Sequence, residues 1–216
     1  MPLFPQDHVN YLKKLKNDGF EPKVIYDIGA CVTHWSKEAK KIWDKSEFVL
    51  FDAMDDFKFL YEEFGSKHFL GVLSSVDNSN VYFYENKENP GGNSVYKENT
   101  QFSPNADVLF SEDAKVKKNT YTLDTVVKQN NFPLPDLIKL DVQGSELDIL
   151  KGAKETLKNC NHIIIEIQHV DYNIGAPKKD AVFEYLKSIG FENVSGMFSS
   201  PMPGGYIDGD YHFVRI

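Results

Sequence analysis

Four carboxylates in this chain stand against short apolar runs. Asp27 follows Val24–Ile25–Tyr26, Asp52 follows Phe48–Val49–Leu50–Phe51, Asp141 follows Leu137–Ile138–Lys139–Leu140, and Glu166 follows Ile163–Ile164–Ile165. An acid delivered to the end of a buried strand can hold a cation, receive hydroxyl hydrogens, or remove a proton. Asp27 is followed by Gly29 and Ala30. Such a small-residue turn brings a ligand close to backbone N–H groups at a helix N-terminus. The acid adds a fixed negative charge that a phosphate would not want. Asp52 comes 25 residues after Asp27, a spacing that suits the two hydroxyls of a ribose. It equally suits a helix cap, a role open to Asp55 and Asp56 as well.

A second constellation runs from Pro135 to Ala153, PDLIKLDVQGSELDILKGA. Here Asp141 ends a strand, Gly144 permits a turn, and Glu146 opens a helix, where the helix dipole stabilises a carboxylate. Glu146 either orients a ligand or caps the helix. His169 follows the strand that carries Glu166, and its ordinary pKa suits a base near neutrality. Asp141, Glu166 and His169 are therefore the candidate bases. Burial of Glu166 in its apolar strand would raise its pKa. Asp141 and Glu166 offer two hard ligands with no third at a telling spacing, so no metal is expected.

The ligand that the acidic turn favours carries positive charge, and S-adenosylmethionine, with its ammonium and sulfonium, fits. Gly-x-Gly-x-x-Gly is absent, because Ala30, Cys31, Val32 and Thr33 follow Gly29. A nicotinamide dinucleotide is thus the weaker alternative, and no P-loop is present.

These residues need a scaffold of alternating strands and helices. Apolar spacing predicts helices over 4–18, Trp35–Trp43, Asp55–Phe64, Leu123–Gln129, Ser145–Leu157 and Lys179–Ile189. Strands are expected over Val24–Tyr26, Phe48–Phe51, His68–Leu73, Val81–Tyr84, Leu137–Leu140 and His162–Ile167. A final antiparallel pair, Phe191–Phe198 and Tyr211–Ile216, is joined by a turn at Pro201–Pro203–Gly204–Gly205. This alternation implies an α/β fold with a mostly parallel sheet and helices on both faces. In such sheets the ligand lies beyond the strand C-terminal ends, where strand order reverses, so the four acids converge. Residues 1–22 form an N-terminal helical extension of one domain covering 1–216. Residues 85–119, polar and interrupted by Pro90–Gly91–Gly92 and Pro104, read as a lid that selects the substrate through Tyr84, Asn93, Ser94 and Tyr96.

Composition narrows the classes. The chain of 216 residues carries a net charge of −8 with mean hydropathy −0.41, which argues against nucleic acid as partner. No apolar run reaches the ~18 residues that span a bilayer, and the N-terminus lacks a basic-then-apolar signal pattern. A cytoplasmic protein without a membrane partner is the expectation. Cys31 and Cys160 form neither a disulfide framework nor a metal motif.

The chain resembles the FkbM-type family of S-adenosylmethionine-dependent methyltransferases. The resemblance runs from Leu12 to the C-terminus and rests on VIYDIGACVTHWS, FDA at Phe51–Ala53, TLDTVV at Thr122–Val127, PDLIKLDVQGSELDILKGA, IIIEIQHVDYNIGAP from Ile163, and the closing DYHFVR. It implies a Rossmann-like class I methyltransferase fold, a seven-stranded mostly parallel sheet with an antiparallel last strand, and methyl transfer to an oxygen of a sugar or other small metabolite. By the same resemblance Asp27, Gly29, Ala30 and Ser36 belong to the methionine-side loop, and Asp52 with Ala53 to the ribose. Ser74 and Ser75 lie near the adenine, and Asp141 faces the methyl-transfer zone. One departure stands out: Thr33 occupies a position where the family usually has a second glycine. If that position needs positive φ, a β-branched residue strains it, and the loop must rearrange or cofactor affinity falls. The alternative to an enzyme is then a catalytically impaired binding protein of the same fold. His34, next in the chain, either touches the cofactor or lies on the surface of the helix start.

Overall fold

The computed structural model describes residues 6–198, 201–202 and 205–216. In chain order the elements are α1 (Gln6–Asn17), β1 (Val24–Ile28), α2 (His34–Ile42), β2 (Glu47–Asp52), α3 (Lys58–Phe64), β3 (Lys67–Leu70), β4 (Val72–Leu73), β5 (Asn80–Tyr84), α4 (Ala106–Leu109), β6 (Lys115–Tyr121) and α5 (Leu123–Asn130). There follow β7 (Leu137–Leu140), α6 (Glu146–Lys151), α7 (Lys154–Leu157), β8 (His162–Gln168), α8 (Lys179–Ser188), β9 (Phe191–Phe198), β10 (Pro201–Met202), β11 (Gly205–Tyr206) and β12 (Asp208–Arg215).

Seven strands form the main sheet in the order β3-β2-β1-β7-β8-β12-β9. β12 is antiparallel to both of its neighbours, and the pairs from β3 to β8 are parallel. The central strands are apolar at nearly every position because both of their faces are covered. Odd and even residues separate cleanly. Tyr26, Ile28, Ile138 and Ile165 pack with α5 to α8, whereas Ile25, Leu50, Leu137 and Ile164 pack with α1 and α2. Asp27 shares the parity of Ile25, so it faces the α1–α2 layer.

Three elements differ from the sequence reading. The expected strand His68–Leu73 breaks at Gly71, whose N–H bonds Asp52 O at 2.8 Å. β4 then leaves the main sheet and pairs with β6 in a three-stranded sheet completed by β5. The expected helix Ser145–Leu157 is two pieces, because at Gly152 the chain passes against the Ser74 carbonyl so closely that a Cβ would overlap it. Asp124 then caps α7, accepting from Thr156 N at 2.8 Å and Glu155 N at 2.9 Å. Residues 85–119 are more ordered than expected, with a short helix and the long strand β6 running through them. The expected turn at 201–205 includes Pro203 and Gly204, which lie outside the described residues.

Arg215 and helix α1 are both tied to the main sheet and its helices. Arg215 donates to the carbonyls of Cys160, Ile189 and Leu157, gathering the ends of three elements. Helix α1 docks through Tyr11, whose hydroxyl bonds His212 Nδ1 at 2.8 Å. Its His8 Nε2 lies 2.8 Å from Asp210 Oδ2.

Candidate active site

Strand order reverses between β1 and β7, and the loops after these strands meet. Gly29 N and Ala30 N both bond Phe51 O, at 2.9 and 3.0 Å, and Asp141 N bonds Ile28 O at 3.0 Å. Gly29 has φ +81°, and a Cβ there would collide with the Asp141 carbonyl, so only glycine allows the two loops to approach. Beyond it, Cys31 (φ 45°), Thr33 (φ 66°) and Gln143 (φ 55°) also occupy the left-handed region. Such strain, of order 1–3 kcal/mol per residue, gathers at functional sites. Thr33 therefore sits where glycine would be easiest, yet the turn is formed: its N–H bonds Ala30 O at 2.7 Å and its carbonyl accepts from Lys37 N at 2.9 Å. His34 is half-buried at the first position of α2.

Asp52 is held by the loop it faces. Its Oδ2 accepts from Cys31 N at 2.9 Å and its Oδ1 from Met54 N at 3.0 Å. Burial lifts its pKa to about 6, with the N–H groups of Cys31, Met54 and Ala53 pulling back. Above that pH the carboxylate is ionised and can accept hydroxyl hydrogens.

Beneath the loop lies a polar layer that the sequence reading did not assemble. Asp27, fully buried, accepts from Ser36 Oγ at 2.5 Å. Its pKa rises through burial, opposed by Lys139 and Ser36. Lys139, in the middle of β7 and only 5% exposed, is opposite Asp27 in the register. Its ammonium donates to Asp141 Oδ2 at 2.8 Å and lies 3.9 Å from Asp27 Oδ1. Burial pushes the Asp141 pKa up, but the Lys139 ammonium more than offsets this and holds it below the usual carboxylate range. Gln143 bridges two acids, its Nε2 donating to Asp141 Oδ1 at 3.0 Å and Glu166 Oε2 at 2.6 Å. Burial and the acids Asp141, Asp210 and Asp208 drive the Glu166 pKa well above its ordinary value. The two neighbouring acids are thus pushed in opposite directions, Asp141 toward the carboxylate and Glu166 toward the carboxylic acid. Lysine at the centre of an otherwise apolar strand was the readable sign of this layer. Gln143 and Asp210 carried none.

Glu146 accepts from Val142 N and Gly144 N, both at 3.1 Å. Burial raises its pKa to about 7. Its carboxyl binds the post-β7 loop.

A cavity opens above these loops. Gly29, Asp52, Ala53 and Asp141 line it from the sheet end, and Val72, Leu73 and Ile149 form an apolar wall. Pro90, Gly91 and Asn93 roof it. Ionisable carboxylates beside an apolar slot match a ligand with a cationic end and a flat heterocycle, the shape of S-adenosylmethionine. Ala30 is buried behind the loop. Ser74 lies in an adjoining cleft and Ser75 is packed beside Gly152; neither lines the cavity. Glu166 is one hydrogen-bond step from it through Gln143. His169 is further out, its Nε2 2.8 Å from the Tyr211 hydroxyl, with burial and Lys179 lowering its pKa.

The 85–119 segment is pinned at several points. The Ser94 hydroxyl donates to Gln143 O at 2.6 Å and the Tyr96 hydroxyl to Asp148 Oδ2 at 2.9 Å. Tyr84 donates to Glu112 at 3.1 Å. Asn173 Nδ2 bonds Tyr96 O at 2.9 Å and Asn99 Nδ2 bonds Asp171 O at 3.0 Å. Residues 94–99 are thereby laced to the loops after β7 and β8.

Residues 27–192 match the family described as Methyltransferase FkbM domain. The hexuronic acid methyltransferase AglP of Haloferax volcanii is 35% identical over 57 residues, 26% of this chain. The match spans 24% of that relative. The magnesium protoporphyrin IX methyltransferase of Synechocystis PCC 6803, solved with S-adenosylhomocysteine bound, superposes with a TM-score of 0.54 at 10% identity, covering 98% of this chain and 82% of that one. A precorrin-6y C5,15-methyltransferase from Geobacter metallireducens superposes at 0.50 and 12% identity, with 99% and 89% covered. At these identities the likeness is one of fold, that of class I methyltransferases. No helix among the described residues is long and apolar enough to cross a membrane.

Proposed function

This chain belongs to the FkbM methyltransferase family and its cofactor is S-adenosylmethionine; on that premise we propose that it methylates a hydroxyl oxygen of a carbohydrate or similar hydroxylated small molecule. The observation that carries this reading is Asp141 at the cavity, its carboxylate gripped by the Lys139 ammonium at 2.8 Å and joined through Gln143 to Glu166. The partial match to a hexuronic acid methyltransferase supports a carbohydrate acceptor.

When bound, S-adenosylmethionine supplies a methyl carbon already activated by a sulfonium. The residues present suit its parts. Asp52 takes the ribose hydroxyls. Gly29, Ala30 and Cys31 bring backbone against the methionine half, above Asp27 and its partner Ser36. Ala53 lies along the ribose, while Ser74 and Ser75 support the adenine end from behind Leu73. What remains for the protein is to place a nucleophile in line. Asp141 accepts the hydrogen bond of the incoming hydroxyl, which aims the oxygen lone pair and gives the departing proton a place to go. Lys139 and Gln143 hold that carboxylate in one orientation. Glu166, joined to Asp141 through Gln143, helps to hold that carboxylate in place, and His169 is the next base outward. Acceptor choice falls to residues 85–119, whose stretch 94–99 is laced to the loops after β7 and β8. The acids beside Glu166, namely Asp141, Asp208 and Asp210, favour a neutral hydroxyl over a carboxylate as acceptor.

The test is mass-spectrometric detection of methyl transfer from S-adenosylmethionine to a panel of hexoses, hexuronic acids and their glycosides. An alkali-stable methyl ether is expected. An alkali-labile ester would refute the hydroxyl, and transfer to nitrogen alone would refute the oxygen. Asp141→Asn should lower kcat at least a hundredfold with cofactor binding little changed. If that variant turns over normally and His169→Ala does not, the base is His169.

A further inference from the structure

Asn93 sits in the cavity roof with its two amide ends in different situations. Its Oδ1 accepts from the Asn86 backbone N–H at 2.7 Å, which fixes which end of the amide is the oxygen. Its Nδ2 is buried and has no hydrogen-bond partner among the described residues, and Asn93 is one of the residues that line the cavity. A buried donor without a partner is uncommon and asks for an acceptor. The backbone around it is fixed rather than adaptable. Asn93 N bonds Pro90 O at 3.2 Å, and Tyr84 and Ser94 exchange backbone bonds of 2.8 and 3.3 Å. Ser94 Oγ is bound to Gln143 O. Asn86, the anchor of Asn93, gathers the roof by accepting from Glu88 N and Asn89 N, each at 2.9 Å, and donating to Leu109 O at 2.8 Å. A donor held this firmly at a cavity is placed to read what enters it.

We propose that Asn93 donates a hydrogen bond to the adenosine half of the cofactor, so that the 85–119 segment recognises the cofactor as well as bounding the acceptor. The inference rests on the reading that this cavity receives the nucleoside. The chemistry is complementary. Asp52, on the opposite side, can only accept when ionised, and so takes hydroxyl hydrogens. Ribose oxygens and purine ring nitrogens remain as acceptors with no other side-chain donor lining the cavity except Gln143 and Ser145. Gln143 is committed to Asp141 and Glu166. Three of the four polar residues expected to select the acceptor, Tyr84, Ser94 and Tyr96, spend their hydroxyls on Glu112, Gln143 and Asp148. Asn93 is the one with a free donor.

Asn93→Asp is the discriminating variant. It keeps the oxygen that Asn86 holds and replaces the donor with a second oxygen, charged when ionised, so the neutral Asn93→Ala is measured beside it. Calorimetric titration with S-adenosylhomocysteine at pH 7.5 should show affinity at least tenfold weaker than wild type for Asn93→Asp, in a protein that still melts cooperatively. Asn93→Ala, which adds no charge, should lose about tenfold. The same fold-loss is expected with 5′-methylthioadenosine, which lacks the amino-acid half. Binding of S-adenosylhomocysteine within twofold of wild type would overturn the proposal. A loss seen with S-adenosylhomocysteine but not with 5′-methylthioadenosine would place the contact on the other half and overturn it too. Failure of the wild-type protein to bind either compound would instead overturn the reading of the cavity.

Discussion

Lys139→Met removes the ammonium from a buried layer of acids while keeping an unbranched apolar stem of similar reach. In the wild type Nζ is 2.8 Å from Asp141 and 3.9 Å from Asp27, with the lysine side chain 6% exposed. At an effective dielectric of ~20, a 2.8 Å pair attracts by about 6 kcal/mol. Desolvation of both ions returns several kcal/mol of that. Truncating one partner forfeits the attraction and leaves the other charge buried, so the expected loss at pH 7.5 is about 3–5 kcal/mol. The pH dependence separates this cause from lost packing. In the wild type the folded pKa of Asp141 is held down. That stability is present above the unfolded value, ~3.9, and is lost only as pH falls through the folded one. Without Lys139, burial raises the folded pKa of Asp141 above its unfolded value, and that of Asp27 further still. The folded variant then takes up protons as pH falls, and its deficit shrinks by up to ~1.4 kcal/mol per pH unit for each proton bound. Urea denaturation of both proteins from pH 8 to pH 5 measures this. A deficit below about 1 kcal/mol at pH 7.5, or one that is the same at pH 5 as at pH 8, would refute the assignment of Lys139 as the counter-ion of the layer.

Three further outcomes are expected. Asp52→Ala should weaken S-adenosylmethionine binding at least tenfold, about 1.4 kcal/mol. Because burial places the Asp52 pKa at about 6, wild-type affinity should also decline between pH 7.5 and pH 5 as the carboxylate takes up a proton; full affinity in a folded Asp52→Ala protein would take Asp52 out of the ribose site. Gly29→Ala forces a Cβ onto the Asp141 carbonyl at positive φ, so the loop must separate from β7, with a stability loss of about 3 kcal/mol or more; an unchanged melting temperature would show that the two loops are not in contact. Thr33→Gly relieves the strain of a β-branched residue at φ 66°, and cofactor affinity should hold or rise by calorimetry. A marked drop would mean that Thr33 contributes a contact of its own.

Much of the scaffold was legible because its signals are local. The apolar runs at Val24, Phe48, Leu137 and His162 are too continuous for surface strands, and each parallel neighbour must be reached through an intervening segment. The break at Gly71 was not legible, since it depends on β4 finding β6 nearly fifty residues away. The helix beginning at Ser145 divides at Gly152 because the chain there meets Ser74, a partner that no helical periodicity announces. For the site, the acids and the turn at Gly29 were readable from their places at strand ends. Their ionisation was not. Asp141 and Glu166 are the same kind of group at similar positions, yet the pKa of one is held down and that of the other is driven up. Lys139 makes that difference, and it reaches Asp27 and Asp141 only because β7 lies beside β1.

The sequence by itself determined the order of strands and helices, the small-residue turn after β1, and the strand ends that bear carboxylates. Each of these follows from the backbone preferences and burial of neighbouring residues, which act within a few positions. Tertiary structure decided which carboxylate lies against the buried Lys139 ammonium, that Asn86 and Asn93 form a roof, and that helix α1 brings His8 to Asp210. Those outcomes depend on distances between residues far apart in the chain. Charge state in a buried layer is set by which opposite charge lies within a few ångströms, and that is settled only when strand order brings the segments together.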